Sequence, residues 1–135
     1  QEIRTAVTDM RQLLLVLGRT PKVMSRPDAP PLRVSQGVLR FENVSFGYAS
    51  EANGASSQLL RGVSFSIPAR KKTAIVGSSG SGKSTVLKLI MRTYDPDSGS
   101  ITIDGQDVRD VDMRSLRRQL GLVPQDTILF DESIL

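Results

Sequence analysis

The chain has 135 residues, 39% of them hydrophobic, which suits one domain with a real apolar core. It holds no cysteine and no histidine, so disulfides, thiolate metal sites and imidazole acid–base chemistry are excluded from this segment. The net charge of +4 gathers in Arg70-Lys71-Lys72 and Arg114 to Arg118 without interleaved aromatics, the pattern of solvated edges rather than of a nucleic-acid surface, and no apolar run reaches the roughly 20 residues of a membrane-spanning helix.

In chain order, Glu2 to Leu17 reads as a helix. Ile3, Val7, Met10, Leu14 and Leu17 alternate four- and three-residue steps and draw one apolar stripe, while Arg4, Thr8 and Arg11 take other faces. Gly18 and Pro21 end it. Such a stripe packs either on its own domain or on a domain that precedes it, and periodicity leaves both open. Pro21, Pro27, Pro30 and Pro31 then crowd into Thr20 to Gln36, which reads as a linker, with a domain boundary near Gly37. The chain divides accordingly into 1–36 and 37–135.

Leu39, Phe41, Val44 and Phe46 mark a first strand, and Val63, Phe65 and Ile67 alternate along a second, Leu59 to Ile67, closed by Pro68. Ala49 to Ser57, small and polar, reads as an exposed loop between them. Lys72-Thr73-Ala74-Ile75-Val76 predicts a short buried strand, and Val86 to Met91 a core helix. Asp95-Pro96-Asp97-Ser98-Gly99 is a turn signal, Ser100 to Ile103 a strand and Asp104-Gly105 a tight turn. Asp112 predicts an N-cap for a helix through about Gln119, with Met113, Leu116 and Leu120 inward. Leu122-Val123 begins another strand that stops at Pro124, placing Gln125 at a strand's carboxyl end, where open α/β sheets bind ligands.

The chemistry concentrates in Gly77-Ser78-Ser79-Gly80-Ser81-Gly82-Lys83-Ser84-Thr85, which fits the phosphate-loop pattern G-x-x-x-x-G-K-[ST]. Glycines and small serines let successive backbone N–H groups turn inward around a phosphate chain. Lys83 brings a charge to the terminal phosphates, the Ser84 hydroxyl can ligate magnesium, and the following helix points its positive end at the same anion. Strand, glycine-rich loop and helix is the setting this motif requires. A Gly/Ser linker would not carry Lys-Ser-Thr between two apolar segments.

The series Phe46-Gly47-Tyr48, Ile75 to Thr85, Tyr94-Asp95-Pro96-Asp97-Ser98-Gly99, Asp104-Gly105 and Val123-Pro124-Gln125-Asp126 resembles the nucleotide-binding domain of ATP-binding cassette transporters. It is similar in particular to the subfamily B exporter half-transporters. Ala74 to Gly80, Val123 to Thr127 and Leu129-Phe130 look most like the mitochondrial iron–sulfur-linked exporters and their heavy-metal relatives. The resemblance covers 39–135 closely and reaches back into the first helix. It implies an α/β fold, a P-loop NTPase core of the cassette type with an antiparallel β subdomain at its start. It implies ATP and Mg²⁺ as cofactors, with Tyr48 stacking on adenine, Gly77 to Thr85 on the phosphates, and Ser84 and Gln125 on magnesium. Gln125 would also relay nucleotide state to the membrane domain, and Asp126 to Leu135 would touch its coupling helices.

The same resemblance makes Glu2 to Leu17 the amphipathic connection from a last transmembrane helix. The partners it implies are those coupling helices and a second nucleotide-binding domain in a homodimeric half-transporter, with no nucleic acid. The setting would be an integral membrane protein with this domain on the matrix or cytosolic side, in the mitochondrial inner membrane or a vacuolar or other organelle membrane. Two departures stand out. Ala69-Arg70-Lys71 occupies a turn that usually carries glycine, so Arg70 is strained if that turn needs positive φ, and the loop Ala49 to Ser57 is long. The family's signature motif, Walker B aspartate, catalytic glutamate and switch histidine find no match, and Asp131 and Glu132 read as polar surface. The expectation is therefore an ATP-hydrolysing protein of which this segment grips nucleotide and is inactive alone. A soluble cassette ATPase of DNA repair or translation is the alternative. GTPases and small-molecule kinases are disfavoured by Gln125 and by the lack of a guanine-reading Asn-Lys-x-Asp.

Overall fold

The computed structural model describes residues 23–49 and 56–124, together with Val7, Met10, Arg11, Leu13, Leu14, Leu17, Gly18 and Pro21. Its organising element is a four-stranded antiparallel sheet in the order β2-β1-β3-β4, formed by β1 (Leu39–Ala49), β2 (Ser56–Ile67), β3 (Ser98–Ile103) and β4 (Gln106–Asp107). Between β2 and β3 lies helix α1 (Lys83–Ile90), and after β4 comes α2 (Met113–Arg118). Alternation decides the buried face on either side of an irregularity at Asn43, φ +49, which brings Phe41 and Val44, three residues apart, to the same side. Phe41, Val44 and Phe46 of β1 join Ile101 and Ile103 of β3, Val86 and Leu89 of α1 and Leu116 of α2 in one core cluster. Val63, Phe65 and Ile67 are half-buried against it, and Phe65 stacks on Phe41 at 4.5 Å between ring centroids.

Both strands of the β1–β2 hairpin run further than the apolar pattern predicted. Ala49 pairs with Ser56 and Tyr48 with Ser57, so part of the expected loop is ladder; residues 50–55 lie outside the described residues. Polar residues can occupy an edge of a ladder because backbone groups make its bonds. Asp104 and Gly105 both have positive φ, the two-residue turn that joins β3 to β4. Arg70 does sit at φ +56. Asp112 caps α2, its carboxylate accepting from the Ser115 N–H at 2.8 Å, with Leu116 fully buried, Leu120 packed against the core and Met113 half-buried.

The two strands expected for a central sheet do not form. Residues 72–76 and 122–123 carry no regular structure and no ladder partner among the described residues, with Val76 87% and Val123 90% exposed. An extended segment becomes a strand only when neighbours take up its N–H and C=O groups. Among the described residues neither segment has such a neighbour, which local sequence could not reveal.

The proline-rich stretch has no helix or strand, yet it is fastened to the domain. Leu32 is buried with the core, and its N–H donates to Ser115 Oγ at 2.8 Å. The Met113 N–H donates to Ser25 Oγ, the Asp112 N–H to the Pro30 carbonyl, and Gln106 exchanges two bonds with the Arg33 backbone. Asp104 gathers the N–H groups of Ser35, Gln36, Gly37 and Val38. Those donors, led by Gly37, hold its carboxyl well below the usual carboxylate range. Val7, Met10, Leu14 and Leu17 of the first stripe are helical and exposed, and none belongs to the core cluster; Ile3 lies outside the described residues.

Candidate functional site

Gly77 to Thr85 lie where the unpaired segment meets α1. Gly82 is the N-cap of α1 with φ +93, and it needs to be glycine twice over: the left-handed backbone disfavours a side chain, and a Cβ would come within 2.9 Å of Leu60 Cδ2 on β2. No side chain caps this helix and no acidic residue stands in its first turn. Its leading N–H groups and positive dipole end are therefore open to an anion. Lys83 Nζ donates to the carbonyls of Gly77 at 2.9 Å and Ser78 at 2.7 Å, drawing the loop around the ammonium group. Lys83 has no carboxylate partner within 4.0 Å among the described residues. A cleft of about 310 Å³, lined by Leu59, Ser79, Gly80, Gly82, Lys83, Ser84 and Thr85, opens beside it and contains no acidic side chain. Donors without acceptors and a cation without a counter-ion fit a polyphosphate chain.

For magnesium, Ser84 is exposed at the head of α1 with its hydroxyl available. No group of three or more acidic side chains able to hold a metal exists among the described residues. This fits a cation that keeps several waters and takes few protein ligands beside phosphate oxygens. Gln125, the other expected ligand, lies outside the described residues.

Tyr48 and Thr85, 37 positions apart, meet. Tyr48 Oη and Thr85 Oγ1 share a hydrogen bond at 3.1 Å, with Thr85 buried and Tyr48 half-buried. Folding builds this junction in two steps. Phe46 and Tyr48 point the same way from β1 and meet edge to face, ring centroids 5.1 Å apart. The turn before β3 then locks the strand end: the Asp97 N–H donates to the Ser45 carbonyl, and the Asp97 carboxylate accepts from the Gly47 N–H, both at 2.9 Å. The expected adenine contact and the expected phosphate contacts are thereby joined into one surface.

Two residues at this junction escaped the sequence reading. Tyr94, which entered the sequence reading only within the family-like run Tyr94 to Gly99 and with no role of its own, packs nearly perpendicular to Tyr48 with centroids 5.4 Å apart. Lys88 places its ammonium 5.3 Å from the Tyr48 ring centroid and 3.4 Å from its hydroxyl. The signal for Lys88 was its spacing, since three residues after Thr85 on a helix is the same face.

A phosphate-loop sequence at a helix start, set between the strands of an antiparallel sheet whose first strand brings an aromatic to the loop's last hydroxyl, is the arrangement of a nucleotide-binding domain. A family model described as ABC transporter matches residues 60–135, and the chain belongs to that family, with its ATPase-domain fold.

More particularly, the proteins it resembles include mitochondrial iron–sulfur clusters transporters. It is 47% identical over 135 residues to the mitochondrial iron–sulfur clusters transporter ATM1 of Yarrowia lipolytica, covering 100% of this chain and 18% of that protein. It is 46% identical to the mitochondrial iron–sulfur clusters transporter ABCB7 of Oryzias latipes, covering 99% and 18%. A solved bacterial Atm1-family ABC exporter with ATP bound aligns with a TM-score of 0.78 at 43% identity, over 96% of this chain and 22% of its own. The chain thus spans about a fifth of the length of these relatives.

Proposed function

We propose that this chain holds ATP and magnesium for an exporter of the Atm1 kind, whose ATP binding and hydrolysis drive transport across the mitochondrial inner membrane. The observation that carries the reading is the Tyr48–Thr85 contact at 3.1 Å, which sets an aromatic platform beside an uncapped, lysine-bearing phosphate loop. In this reading Tyr48 stacks on the base, Gly77 to Ser81 offer backbone donors, Gly82 lets α1 begin against β2, and Lys83 exchanges its two carbonyl partners for phosphate oxygens. Ser84 and Gln125 hold magnesium, which when bound neutralises phosphate charge. The cleft holds no acidic side chain, so these residues bind and orient the nucleotide and leave the activation of water to other groups.

The family resemblance extends the proposal. A second copy of the domain is the partner across the nucleotide, the coupling helices of a membrane domain meet Asp126 to Leu135, and the domain faces the matrix or the cytosol. Cargo of the glutathione-linked or metal-conjugate type follows the same similarity. Residues 1–36 arrive from the membrane domain, which the exposed Met10, Leu14 and Leu17 support, since their apolar stripe lies outside the core cluster. The similarity to exporters over the whole chain gives the soluble-ATPase alternative no support.

Titration with Mg-ATP tests the core of this. Binding should be lost by more than about tenfold in Lys83→Ala, the loss of charge-assisted hydrogen bonds to phosphate each worth about 1.5–3 kcal/mol. GTP should compete poorly. Unchanged affinity in Lys83→Ala, or GTP displacing ATP readily, would refute it.

A further inference from the structure

We propose that Lys88 is a positioning residue for the base of the nucleotide: it fixes the Tyr48 ring at its hydroxyl end and acts on adenine only through that ring. The inference rests on the ATP-binding reading above and extends it to a residue outside the phosphate loop. Lys88 stands one turn along α1 from Thr85, and the two side chains meet the same tyrosine. The Lys88 ammonium lies at the hydroxyl end of the ring, 5.3 Å from its centroid, within the roughly 6 Å at which a cation is drawn to an aromatic. It also donates a long bond, 3.4 Å, to the hydroxyl that Thr85 engages at 3.1 Å. Among the described residues Lys88 forms no ion pair, and its side-chain hydrogen bond goes to the Tyr48 hydroxyl.

The arrangement has a consequence for binding. Phe46 and Tyr94 meet the ring edge to face from β1 and from the turn before β3. Thr85 and Lys88 hold its hydroxyl end from α1. With four contacts from three elements, the ring's plane is set before a base arrives, so ordering it costs nothing at the moment of stacking. Because α1 begins in the phosphate loop, the same rigid helix positions the phosphate contacts and the base contact. A lysine that acted on phosphate directly would behave differently, since its charge would be felt by any polyphosphate.

The full chain is titrated with ATP and, separately, with inorganic tripolyphosphate, which has no base. Lys88→Met keeps the apolar stem and removes the charge. It should weaken ATP two- to fivefold, the effect of an exposed cation–π contact of about 0.5–1 kcal/mol, and leave tripolyphosphate unchanged. Lys88→Arg should restore ATP affinity. Lys88→Met should add nothing in a Tyr48→Ala background, where the ring is gone. Equal losses for both ligands would show a phosphate contact and overturn the proposal. Tighter ATP binding in Lys88→Met would overturn it as well, by showing that lysine and adenine compete for one face. Loss of ATP affinity in Tyr48→Ala with none in Lys88→Met removes the role of Lys88 alone. Full ATP affinity in Tyr48→Ala removes the base-stacking reading and this proposal together.

Discussion

Gly99 offers a sharp test of how the sheet builds the nucleotide site. It is the second residue of β3, with φ +83, opposite the irregularity in β1 where pairing shifts between Glu42 and Ser45 and where Asn43 itself takes φ +49. A methyl group at Gly99 would overlap the carbonyl oxygens of Glu42 and Asn43 and lie 2.6 Å from the Asn43 carbonyl carbon. These are backbone atoms inside a ladder, so no rotamer change relieves the clash. Gly105 is the natural control, with φ +80 and nothing within 4 Å of its added Cβ. Gly105→Ala should cost only the left-handed backbone penalty, about 1–2 kcal/mol. Gly99→Ala should add an overpacking cost of about 1–3 kcal/mol to that same penalty. Urea denaturation followed by far-ultraviolet circular dichroism measures both. The functional readout should split the same way. Displacing the start of β3 disturbs Asp97, whose carboxylate holds the Gly47 N–H beside Tyr48, so ATP affinity should fall in Gly99→Ala and persist in Gly105→Ala. A Gly99→Ala chain as stable as Gly105→Ala would refute the steric argument.

Two further outcomes follow from the fastening of residues 23–38. Arg92, buried and at φ +49, donates to the Asp95 carboxylate and to the carbonyls of Val111 and Met24. Arg92→Met should cost about 2–4 kcal/mol, less than a fully buried pair because Asp95 stays partly solvated, and should speed amide exchange at Asp112 and Met113; unchanged exchange would show that the segment is held without it. Asp104 has a folded-state pKa below its ordinary 3.8, so its contribution is present above pH 3.8 and is lost as pH falls from there toward the depressed value. Asp104→Asn should therefore lower the melting temperature at pH 7, with the gap to the parent chain closing below pH 3.8; a gap that widens on acidification would refute this sign.

What could be read from the sequence was local. The spacing Gly77 to Thr85 names its own chemistry because four defining positions lie within eight residues of one another. Asp112 announced its helix because the cap and its N–H partner are three residues apart. Alternation in Val44 and Phe46 and in Val63, Phe65 and Ile67 gave the buried faces of those stretches because a strand's side chains have a period of two. None of these needs knowledge of a distant segment.

Tertiary structure decided the rest. Residues 72–76 look like a strand in composition but are not one here, since a strand is a relation between segments and no ladder partner stands beside them. The prolines of 21–31 forbid regular structure without forbidding attachment, and only the fold shows Leu32 in the core and four N–H groups on Asp104. The same holds at the site. Tyr48, Thr85, Lys88 and Tyr94 are spread over 47 residues, and no local rule says that a β1 side chain will rest on the first two turns of α1. The sequence by itself determined that this chain can grip a phosphate chain. The packing of β1 and the β3 turn against α1 decided which aromatic stands beside it, because that contact joins elements that share no local pattern.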